Sequence, residues 1–385
     1  MNHYLTFYKE HKSKILITNK LKFLETLGES GVLNNTLTAF KDRHTVYAKL
    51  NPKLYDEIIE KRSLKWHINY IKKFITNELN NEFLYHEFKI PKTSGGYRII
   101  HSPNPKLKTL QYHIKYLIEN LNVLTHDAAH GCVPTRSSYT NARYHQQSNH
   151  FARVDFKDFF PSITSEFLLE VLPQIGPFAT SNYNKEMKLL IELIVQVATY
   201  NGKLPQGSPI SPLLANLALI PFDFHMRETL KEMKPTIIYT RYVDDMTFSS
   251  FYTFNNQKKE SKETLHNLIE NVMITAYQKK PLTIKTQKTM ITTKFGKNRV
   301  TGVKINQENK LSIGYKEKRE LKRELASLII QRKKGLTPDK NQVQHTLGLL
   351  SYLNNIEPNY KYYIVNTLKR KFNIKIDLYQ YLFNL

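Results

Sequence analysis

The chain has 385 residues, with 57 lysines and arginines against 33 aspartates and glutamates, which gives a formal net charge of +24. Its hydrophobic fraction of 41%, including 12% aromatic residues, predicts a folded protein and excludes an intrinsically disordered one. The single cysteine, Cys132, excludes a disulfide framework and any zinc site built from several cysteines.

The N-terminal stretch MNHYLTFYKEHKSKILITNK carries too many charges for a secretory signal. No run of about 18 apolar residues in the sequence offers a membrane span, so we expect a cytoplasmic protein without a membrane partner. Within residues 1–84, apolar residues recur three and four positions apart in YDEIIEKRSLKWHINYIKKFITNEL. This spacing predicts a largely helical N-terminal region.

Three stretches in the middle of the chain carry strand and turn signals. The first, YHEFKIPKTSGGYRIIHSPNPKLKTLQYHIKYLIENL, predicts a strand, a turn at Gly95 and Gly96, a second strand, a proline-rich bend and a helix. The second, FARVDFKDFFPSIT, predicts a buried strand that stops at Pro161. The third, LPQGSPISPLLANLALIPF, predicts a turn that leads into a helix rich in small residues.

The segment YTRYVDDMTFSS, residues 239–250, predicts a β-hairpin although it contains two adjacent aspartates, which are depleted in strands. In a straight strand Asp244 and Asp245 would point to opposite faces. A tight turn at Val243 and Asp244 lets both carboxylates converge at one edge, where they would repel each other unless cations offset the charge. Asp155 interrupts another apolar β run 89 residues upstream and is the best candidate for a third carboxylate.

Three carboxylates without a nearby cysteine or histidine cluster favour Mg²⁺ over zinc. Two Mg²⁺ ions about 4 Å apart would stabilise both the attacking and the leaving oxygen of a phosphoryl displacement. Asp244 and Asp245 could instead be ordinary turn residues, since aspartate favours turns. The matching position of Asp155 and the basic charge of the chain favour the metal site.

Positive charge is concentrated near the C-terminus, where residues 281–385 hold 21 lysines and arginines against 7 acidic residues. Residues 316–332 predict a helix with one apolar stripe and a basic opposite face; the stripe comprises Leu321, Leu325, Leu328 and Ile329. A positive charge of this size favours a nucleic acid partner, although a lysine-rich composition would also supply solvated surface. We expect the basic face to contact RNA through Lys318, Lys322 and Arg323.

The YVDD of the hairpin resembles the signature of reverse transcriptases, and four other stretches resemble successive blocks of that family in the right order. These are IPKTSGGYRIIHSPNPKLKTLQ, VDFKDFFPSI, LPQGSPISPLLANL and IKTQKT. The resemblance implies an α+β right-hand polymerase with fingers, an antiparallel-sheet palm and a helical thumb. The implied divisions are an N-terminal helical region over 1–84, fingers over 85–145 and 166–203, a catalytic palm over 146–165 and 204–295, and a basic thumb over 296–385.

The same resemblance implies roles for the aspartates and for one aromatic residue. Asp155 and Asp244 match the principal ligands of two Mg²⁺ ions, and Asp245 matches a less direct ligand. Phe160 matches an aromatic gate against the ribose 2′-hydroxyl and implies a preference for deoxynucleotides. Phe159 is the alternative gate if the alignment is shifted by one residue, and Phe160 could instead be a plain core residue.

Further residues match positions that contact the incoming nucleotide in the family. Gln206 matches the residue that supports this nucleotide, while Arg98, with Lys92 as a second candidate, matches the groups that neutralise its triphosphate. A guanidinium suits this role because it can grip phosphate oxygens with two hydrogen bonds. Lys288 matches a lysine proposed to protonate the leaving pyrophosphate, although the family often has asparagine where Lys285 stands.

Two short motifs resemble hallmarks of bacterial retron reverse transcriptases: NARYH, from Asn141 to His145, and VTG, comprising Val300, Thr301 and Gly302. The resemblance implies that both motifs bind RNA and select it. Motifs of this length also occur by chance, and a β-turn would explain the Thr-Gly pair. His145 is interpreted as an RNA or structural contact, and the neighbouring His130 and His150 as surface residues.

Resemblance to the retron enzymes implies an RNA-directed DNA polymerase that copies part of a structured noncoding RNA into short single-stranded DNA. Its implied partners are this RNA as template and primer, the RNA–DNA product, deoxynucleoside triphosphates and an effector protein used in antiphage defence. One alternative is another defence-associated bacterial reverse transcriptase with different priming. A second alternative is an RNA-binding scaffold that restrains a toxic effector, which the intact Asp155, Asp244 and Asp245 disfavour.

Overall fold

The computed structural model describes residues 63–79, 84–92, 95–121, 125–182, 184–233, 236–253, 258–296 and 299–383. The helices expected over residues 1–62 therefore lie outside the described residues. Helix α1 spans Leu64–Glu78 and begins at Ser63, whose hydroxyl accepts a hydrogen bond from the backbone N–H of Trp66. No helix in the described ranges combines the length and the apolar composition needed to cross a membrane.

A β-hairpin and a helix follow α1, in the order that the sequence predicts. Strands β1 (Tyr85–Pro91) and β2 (Tyr97–Pro103) pair antiparallel, and the connecting turn contains two glycines with φ of 88° and 77°. Helix α2 (Pro105–Asn120) begins after Asn104, whose side-chain oxygen accepts from the N–H of Leu107 at 2.8 Å. The proline at the first helical position lacks an N–H that the helix would leave unpaired.

The central sheet is antiparallel and has five strands. They are β3 (His150–Lys157), β4 (Ile238–Tyr242), β5 (Asp245–Ser250), β6 (Thr283–Ile284) and β7 (Met290–Thr293). The order is β4-β5-β3-β6, and β7 pairs with the N-terminal half of β3. The register between β3 and β5 places Asp155 directly opposite Asp245.

The expected end of the β3 strand at Pro161 is wrong by four residues. The strand ends at Lys157 because Asp158 adopts a left-handed backbone with φ of 43°. Pro161 lies instead within the short helix α4 (Phe159–Ser162). Proline is tolerated in a first helical turn, where its missing N–H removes no helical hydrogen bond.

Helices cover the central sheet and connect its strands. They are α3 (Ser138–Tyr144), α5 (Ser165–Val171), α6 (Lys185–Ala198), α7 (Ser211–Ala218), α8 (Ile220–Met233) and α9 (Lys258–Tyr277), with 3₁₀ turns over Leu172–Gln174 and Gly176–Asn182. Helix α7 is the predicted helix of small residues, and its side chains are largely buried. One continuous apolar core runs from α1 through the helices to β6.

The C-terminal part has its own core. A three-stranded antiparallel sheet, β8 (Arg299–Val300), β9 (Val303–Ile305) and β10 (Leu311–Ser312), precedes helices α10 (Tyr315–Lys333), α11 (Lys340–Ile356), α12 (Pro358–Phe372) and α13 (Leu378–Phe383). All four leucine and isoleucine residues of the predicted stripe on α10 are buried in this second core. Ala142 and Phe151 join the same core from the preceding part of the chain. The boundary at residue 296 stays a prediction.

Candidate active site

The turn between β4 and β5 carries the aspartate pair, as the sequence predicts. Tyr242 pairs with Asp245, so Val243 and Asp244 form the turn itself. Val243 has a φ of 60°, in the left-handed region. A residue other than glycine costs about 1–3 kcal/mol in such a conformation, which persists only when the surrounding structure imposes it.

Asp155, Asp244 and Asp245 line one cleft at the end of the central sheet. Burial and the neighbouring carboxylate of Asp155 together raise the pKa of Asp244 to about 6. Burial also raises the pKa of Asp245 to about 7, against the opposing effect of Arg153. The three acidic groups therefore share a partly buried site in which negative charge is unfavourable without a cation.

A divalent cation fits this set of oxygen atoms. The Oδ1 atom of Asp155 is buried and has no hydrogen-bond partner, while Oδ2 accepts from Nζ of Lys288 at 2.9 Å. Within the described ranges, no group of three or more histidine, cysteine, aspartate or glutamate side chains is arranged to hold a metal ion. Mg²⁺ suits an incomplete protein site, because it commonly takes one or two carboxylates and completes its shell with water and substrate phosphates.

The two candidate gate residues occupy different environments. Phe159 is buried and stacks on Phe156, with ring centroids 5.8 Å apart. Phe160 is only partly buried and lies edge-to-face against Phe159 at 5.4 Å. The surface available to a nucleotide is therefore on Phe160, which remains the preferred candidate for the gate.

The LPQG turn is joined to the β1–β2 hairpin. The backbone carbonyl of Gln206 accepts from the N–H of His101 at 2.8 Å. Gly207 has a φ of 118°, and a Cβ there would lie 2.7 Å from a methyl carbon of Ile100 and 2.9 Å from the carbonyl oxygen of His101. Glycine is required at this position both for its backbone conformation and for the close approach of β2.

The cationic candidates lie on two different elements of the fold. Arg98 and Lys92 are exposed on the β1–β2 hairpin, which the LPQG turn contacts. Lys288 lies at the cleft, and its hydrogen bond to Asp155 raises the pKa of its ammonium group. The lysine is therefore protonated at neutral pH, as a proton donor must be.

The family described as "Reverse transcriptase (RNA-dependent DNA polymerase)" matches residues 90–323, which is more than half of the chain. The retron Ec83 reverse transcriptase of Escherichia coli is 31% identical over 290 residues, which cover 75% of this chain and 86% of that protein. The chain belongs to the bacterial retron-type reverse transcriptases. It is an RNA-directed DNA polymerase, and the expected α+β right-hand fold is confirmed.

Other retron reverse transcriptases are similar to this chain at lower sequence identity. The retron Ec73 reverse transcriptase of Escherichia coli is 29% identical over 77% of this chain and 90% of that protein. The retron Mx162 reverse transcriptase of Myxococcus xanthus is 28% identical over 73% of this chain and 59% of that protein. The structure of apo telomerase from Candida tropicalis aligns over 81% of this chain and 64% of its own, with 13% identity and a TM-score of 0.49.

The two retron motifs of this reverse transcriptase contact each other. The side-chain nitrogen of Asn141 on α3 donates to the hydroxyl of Thr301 at 3.4 Å. This hydroxyl in turn donates to the backbone carbonyl of Ser138 at 3.3 Å. Val300 is buried, while Gly302 is exposed in the same turn. The two motifs therefore form one contact that connects the part of the chain around the central sheet to the C-terminal core.

His145 cannot contact RNA directly from its position in the reverse transcriptase. Its side chain has no exposed surface, and its two ring nitrogens lie 2.6 Å from the hydroxyls of Ser249 on β5 and Thr240 on β4. Burial lowers the pKa of His145 to about 3, so the ring is neutral. The structural interpretation of His145 therefore replaces the RNA-binding one.

Two neighbouring expectations change for the same reason. Asn141 has no exposed surface either, so it also acts through its contact with the VTG turn. His130, expected at the surface, is buried and its Nδ1 lies 3.0 Å from the hydroxyl of Thr140. His150 is partly buried. Sequence motifs specify residue types, and burial depends on tertiary packing that they do not reveal.

The three basic residues of α10 that are expected to bind RNA differ in their exposure and in their contacts within the protein. The ammonium group of Lys318 pairs with Glu357 and lies 4.3 Å from the ring centroid of Tyr360. Lys318 therefore joins α10 to α12, and its assignment to RNA binding is revised. Lys322 lies 5.8 Å from the centroid of Tyr363, and Arg323 is exposed.

The sequence interpretation missed two arginines near the aspartates. Arg153 precedes Asp155 by two residues, so both side chains lie on the same face of β3 and line the cleft. Its guanidinium also donates to the backbone carbonyl of Arg299 at 3.0 Å. Strand periodicity could have identified Arg153. Arg241 on β4 is fully buried, and only its position as a lone charge in an apolar strand gave a signal.

Proposed function

We propose that this reverse transcriptase copies part of a structured noncoding RNA into short single-stranded DNA, and that the product serves in defence against phage. The observation that carries the catalytic part is the cleft in which a buried, unpartnered oxygen of Asp155 lies with Asp244 and Asp245. The similarity to retron enzymes of Escherichia coli supports the choice of RNA and product. The DNA would begin on a 2′-hydroxyl of the RNA, giving a branched molecule.

Each side chain of the cleft would have its own role in the reaction. Asp155 and Asp244 would hold two Mg²⁺ ions, with Asp245 as a less direct ligand. When bound, these ions lower the pKa of the attacking hydroxyl and neutralise the charge that develops on the phosphates. The hydroxyl loses its proton to solvent, its oxygen bonds to the α-phosphorus, and the bond between the α-phosphorus and pyrophosphate breaks. Lys288 would supply a proton to the departing pyrophosphate.

The remaining nucleotide contacts come from the hairpin and the LPQG turn. Arg98, assisted by Lys92, would bind the triphosphate, because a guanidinium offers two parallel donors to phosphate oxygens. Gln206 would support the sugar and base from the turn that β2 contacts. Phe160 would exclude a ribose 2′-hydroxyl. These groups select a deoxynucleoside triphosphate before the chemical step.

The test is to sequence the nucleic acids that copurify with the protein expressed with its neighbouring genomic sequence. We expect one noncoding RNA and one DNA of defined length, joined so that ribonuclease treatment leaves a ribonucleotide on the DNA 5′ end. The Asp244→Asn variant should retain the RNA and lack the DNA. DNA with a free 5′ end or no fixed template would instead favour a defence-associated enzyme with different priming.

A further inference from the structure

A charged pair is buried beneath the catalytic turn of this enzyme. Arg241 on β4 and Asp223 on α8 both have no exposed surface. The Nε and Nη2 atoms of Arg241 donate to the two carboxylate oxygens of Asp223 at 3.0 and 2.7 Å. The hydroxyl of Tyr239 donates to the same carboxylate at 2.7 Å. An apolar pair of similar volume often stabilises a fold as well as a buried ion pair does, so stability alone does not explain these charges.

The remaining nitrogen of the guanidinium reaches the turn itself. The Nη1 atom of Arg241 donates to the backbone carbonyl of Val243 at 2.8 Å and to the side-chain oxygen of Asn216 at 3.0 Å. Asn216 on α7 donates onward to the carbonyl of Gly131 at 2.8 Å. The carbonyl of Val243 and the N–H of Asp244 belong to one planar peptide unit. A bond that orients this carbonyl therefore also orients the backbone from which the Asp244 side chain projects.

A loop that contains Gly131 also contacts the turn. A Cβ at Gly131 would lie 2.6 Å from both the backbone nitrogen and a methyl carbon of Val243, so the loop backbone contacts the turn directly. The backbone of Arg241 pairs with this loop, since its N–H donates to Ala128 and its carbonyl accepts from His130, both at 2.7 Å. The left-handed backbone of Val243 is thus contacted by both the guanidinium and the loop.

We propose that Arg241, oriented by Asp223 and Asn216, is a positioning residue that fixes the Val243–Asp244 peptide and so preorganises Asp244 for a divalent cation. The proposal rests on the metal-binding role given to Asp244 in the proposed function. Only a guanidinium suits the place, because its planar fork meets a carboxylate, an amide oxygen and a backbone carbonyl at once. A lysine ammonium would keep the charge and lose this geometry.

The primary test compares Arg241→Lys with the unchanged protein, using Mn²⁺ as a paramagnetic probe of the cation site and extension of an annealed primer as the activity. Removing a group that orients a metal ligand typically lowers metal affinity about 10- to 100-fold, and we expect a loss in that range. The maximal extension rate should fall about 100-fold, as for a small displacement of a catalytic group. The KM for the deoxynucleotide should stay unchanged, because Arg241 does not contact the nucleotide site.

A second substitution tests whether the lost function is conformational. Glycine adopts a positive φ without penalty, so the double variant Arg241→Lys/Val243→Gly should regain much of the Mn²⁺ affinity and rate. Unchanged Mn²⁺ affinity in Arg241→Lys, or no recovery on adding Val243→Gly, would overturn the proposal. If Arg241→Lys does not fold, Arg241→Met/Asp223→Leu removes both buried charges together and has the same expected losses and rescue.

Two controls separate this proposal from general instability and from the proposed function. Ile194→Ala creates a cavity in the core on α6 and should lower the melting temperature without changing Mn²⁺ affinity. Asp244→Asn should abolish both Mn²⁺ binding at the site and extension. If Asp244→Asn retains both, the proposed function fails. If Asp244→Asn loses both while a folded Arg241 variant retains both, only the positioning role fails.

Discussion

The palm and the thumb place their charged groups in opposite ways. Beneath the palm turn, Arg241 and Asp223 are completely buried and every nitrogen of the guanidinium has a partner. In the thumb, the buried face of α10 is apolar, and the basic side chains lie outside it. Some of these, such as Lys318, are already paired with neighbouring helices. Palm substitutions should therefore abolish function through geometry, while thumb substitutions should reduce it in small steps.

The largest effect is expected from Asp244→Asn. The substitution removes a charge from the proposed cation site while preserving the shape of the side chain, so primer extension should fall by several orders of magnitude. Folding and RNA binding should persist, because burial raises the pKa of Asp244 to about 6 and its negative charge does not stabilise the fold. Undiminished extension in Mg²⁺ would refute the catalytic assignment.

His145→Ala is expected to have the next largest effect. The substitution leaves the hydroxyls of Thr240 and Ser249 without their ring partner and opens a cavity, which should cost about 2–4 kcal/mol of unfolding free energy. Extension of an annealed primer and synthesis on the cognate RNA should fall together. The exposed His345→Ala on α11 is the matched control. A selective loss on the cognate RNA would restore the original RNA-binding interpretation of His145.

Phe160→Ala should change nucleotide selection more than the rate. Loss of the ring opens space for a 2′-hydroxyl, so discrimination against ribonucleotides should fall about 10- to 200-fold, the range for small changes in an apolar pocket. The measurement is the ratio of kcat/KM values for paired deoxy- and ribonucleotides. Phe159→Ala is the matched control, because the buried ring should cost about 3–5 kcal/mol of stability. Relaxed discrimination in the Phe159 variant alone would move the gate by one residue.

The raised carboxyl pKa values predict that the free energy of unfolding depends on pH. The folded protein holds a proton on Asp245 up to about pH 7, whereas the unfolded chain releases it near 3.8. Stability without divalent cations should therefore fall as the pH rises through this interval. Asp245→Asn should raise the melting temperature in chelator by several degrees at pH 8 and by less at pH 5.5. An equal increase at both pH values would contradict this assignment.

The smallest effects are expected on the thumb surface. Arg323→Ala should weaken binding to all RNAs modestly and reduce the slope of log affinity against log salt by about 1. Lys318→Ala should leave this slope unchanged and lower thumb stability, because its ammonium pairs with Glu357. Salt titrations of both variants provide the comparison. Equal changes in slope would mean that Lys318 leaves Glu357 when RNA binds.

Local patterns in the sequence predicted the elements that local forces determine. The fingers hairpin follows from its glycine turn, the palm hairpin from its β-forming residues, and the α10 stripe from its spacing of three and four. The strands β8–β10 were missed, because segments of two or three residues show no periodicity. The aspartates could be identified because Asp155 interrupts a second apolar β run at a matching position.

The errors in the site arose from contacts between residues far apart in the chain. His145 is hydrogen-bonded to two residues that lie 104 and 95 positions later in the chain, so the motif NARYH alone does not show that it is buried. The ion pair of Lys318 is equally invisible in the sequence, because its partner Glu357 lies between α11 and α12. Asn141 is hydrogen-bonded to Thr301, which lies 160 residues later in the chain. The two motifs expected to bind RNA therefore contact each other inside the fold. Only the folded chain reveals such pairs.

The contacts of Gly131 and Gly207 have a consequence for reading a comprehensive mutational scan of this enzyme. At each position even an alanine methyl would collide with another backbone segment. Both positions should therefore score as intolerant as the aspartates, although neither glycine has a side chain that could act on a nucleotide. A map of the active site drawn from loss of function alone would include them wrongly. Measuring the abundance of each variant as well as its activity would separate these two glycines, which permit close backbone packing, from the residues that act in the reaction.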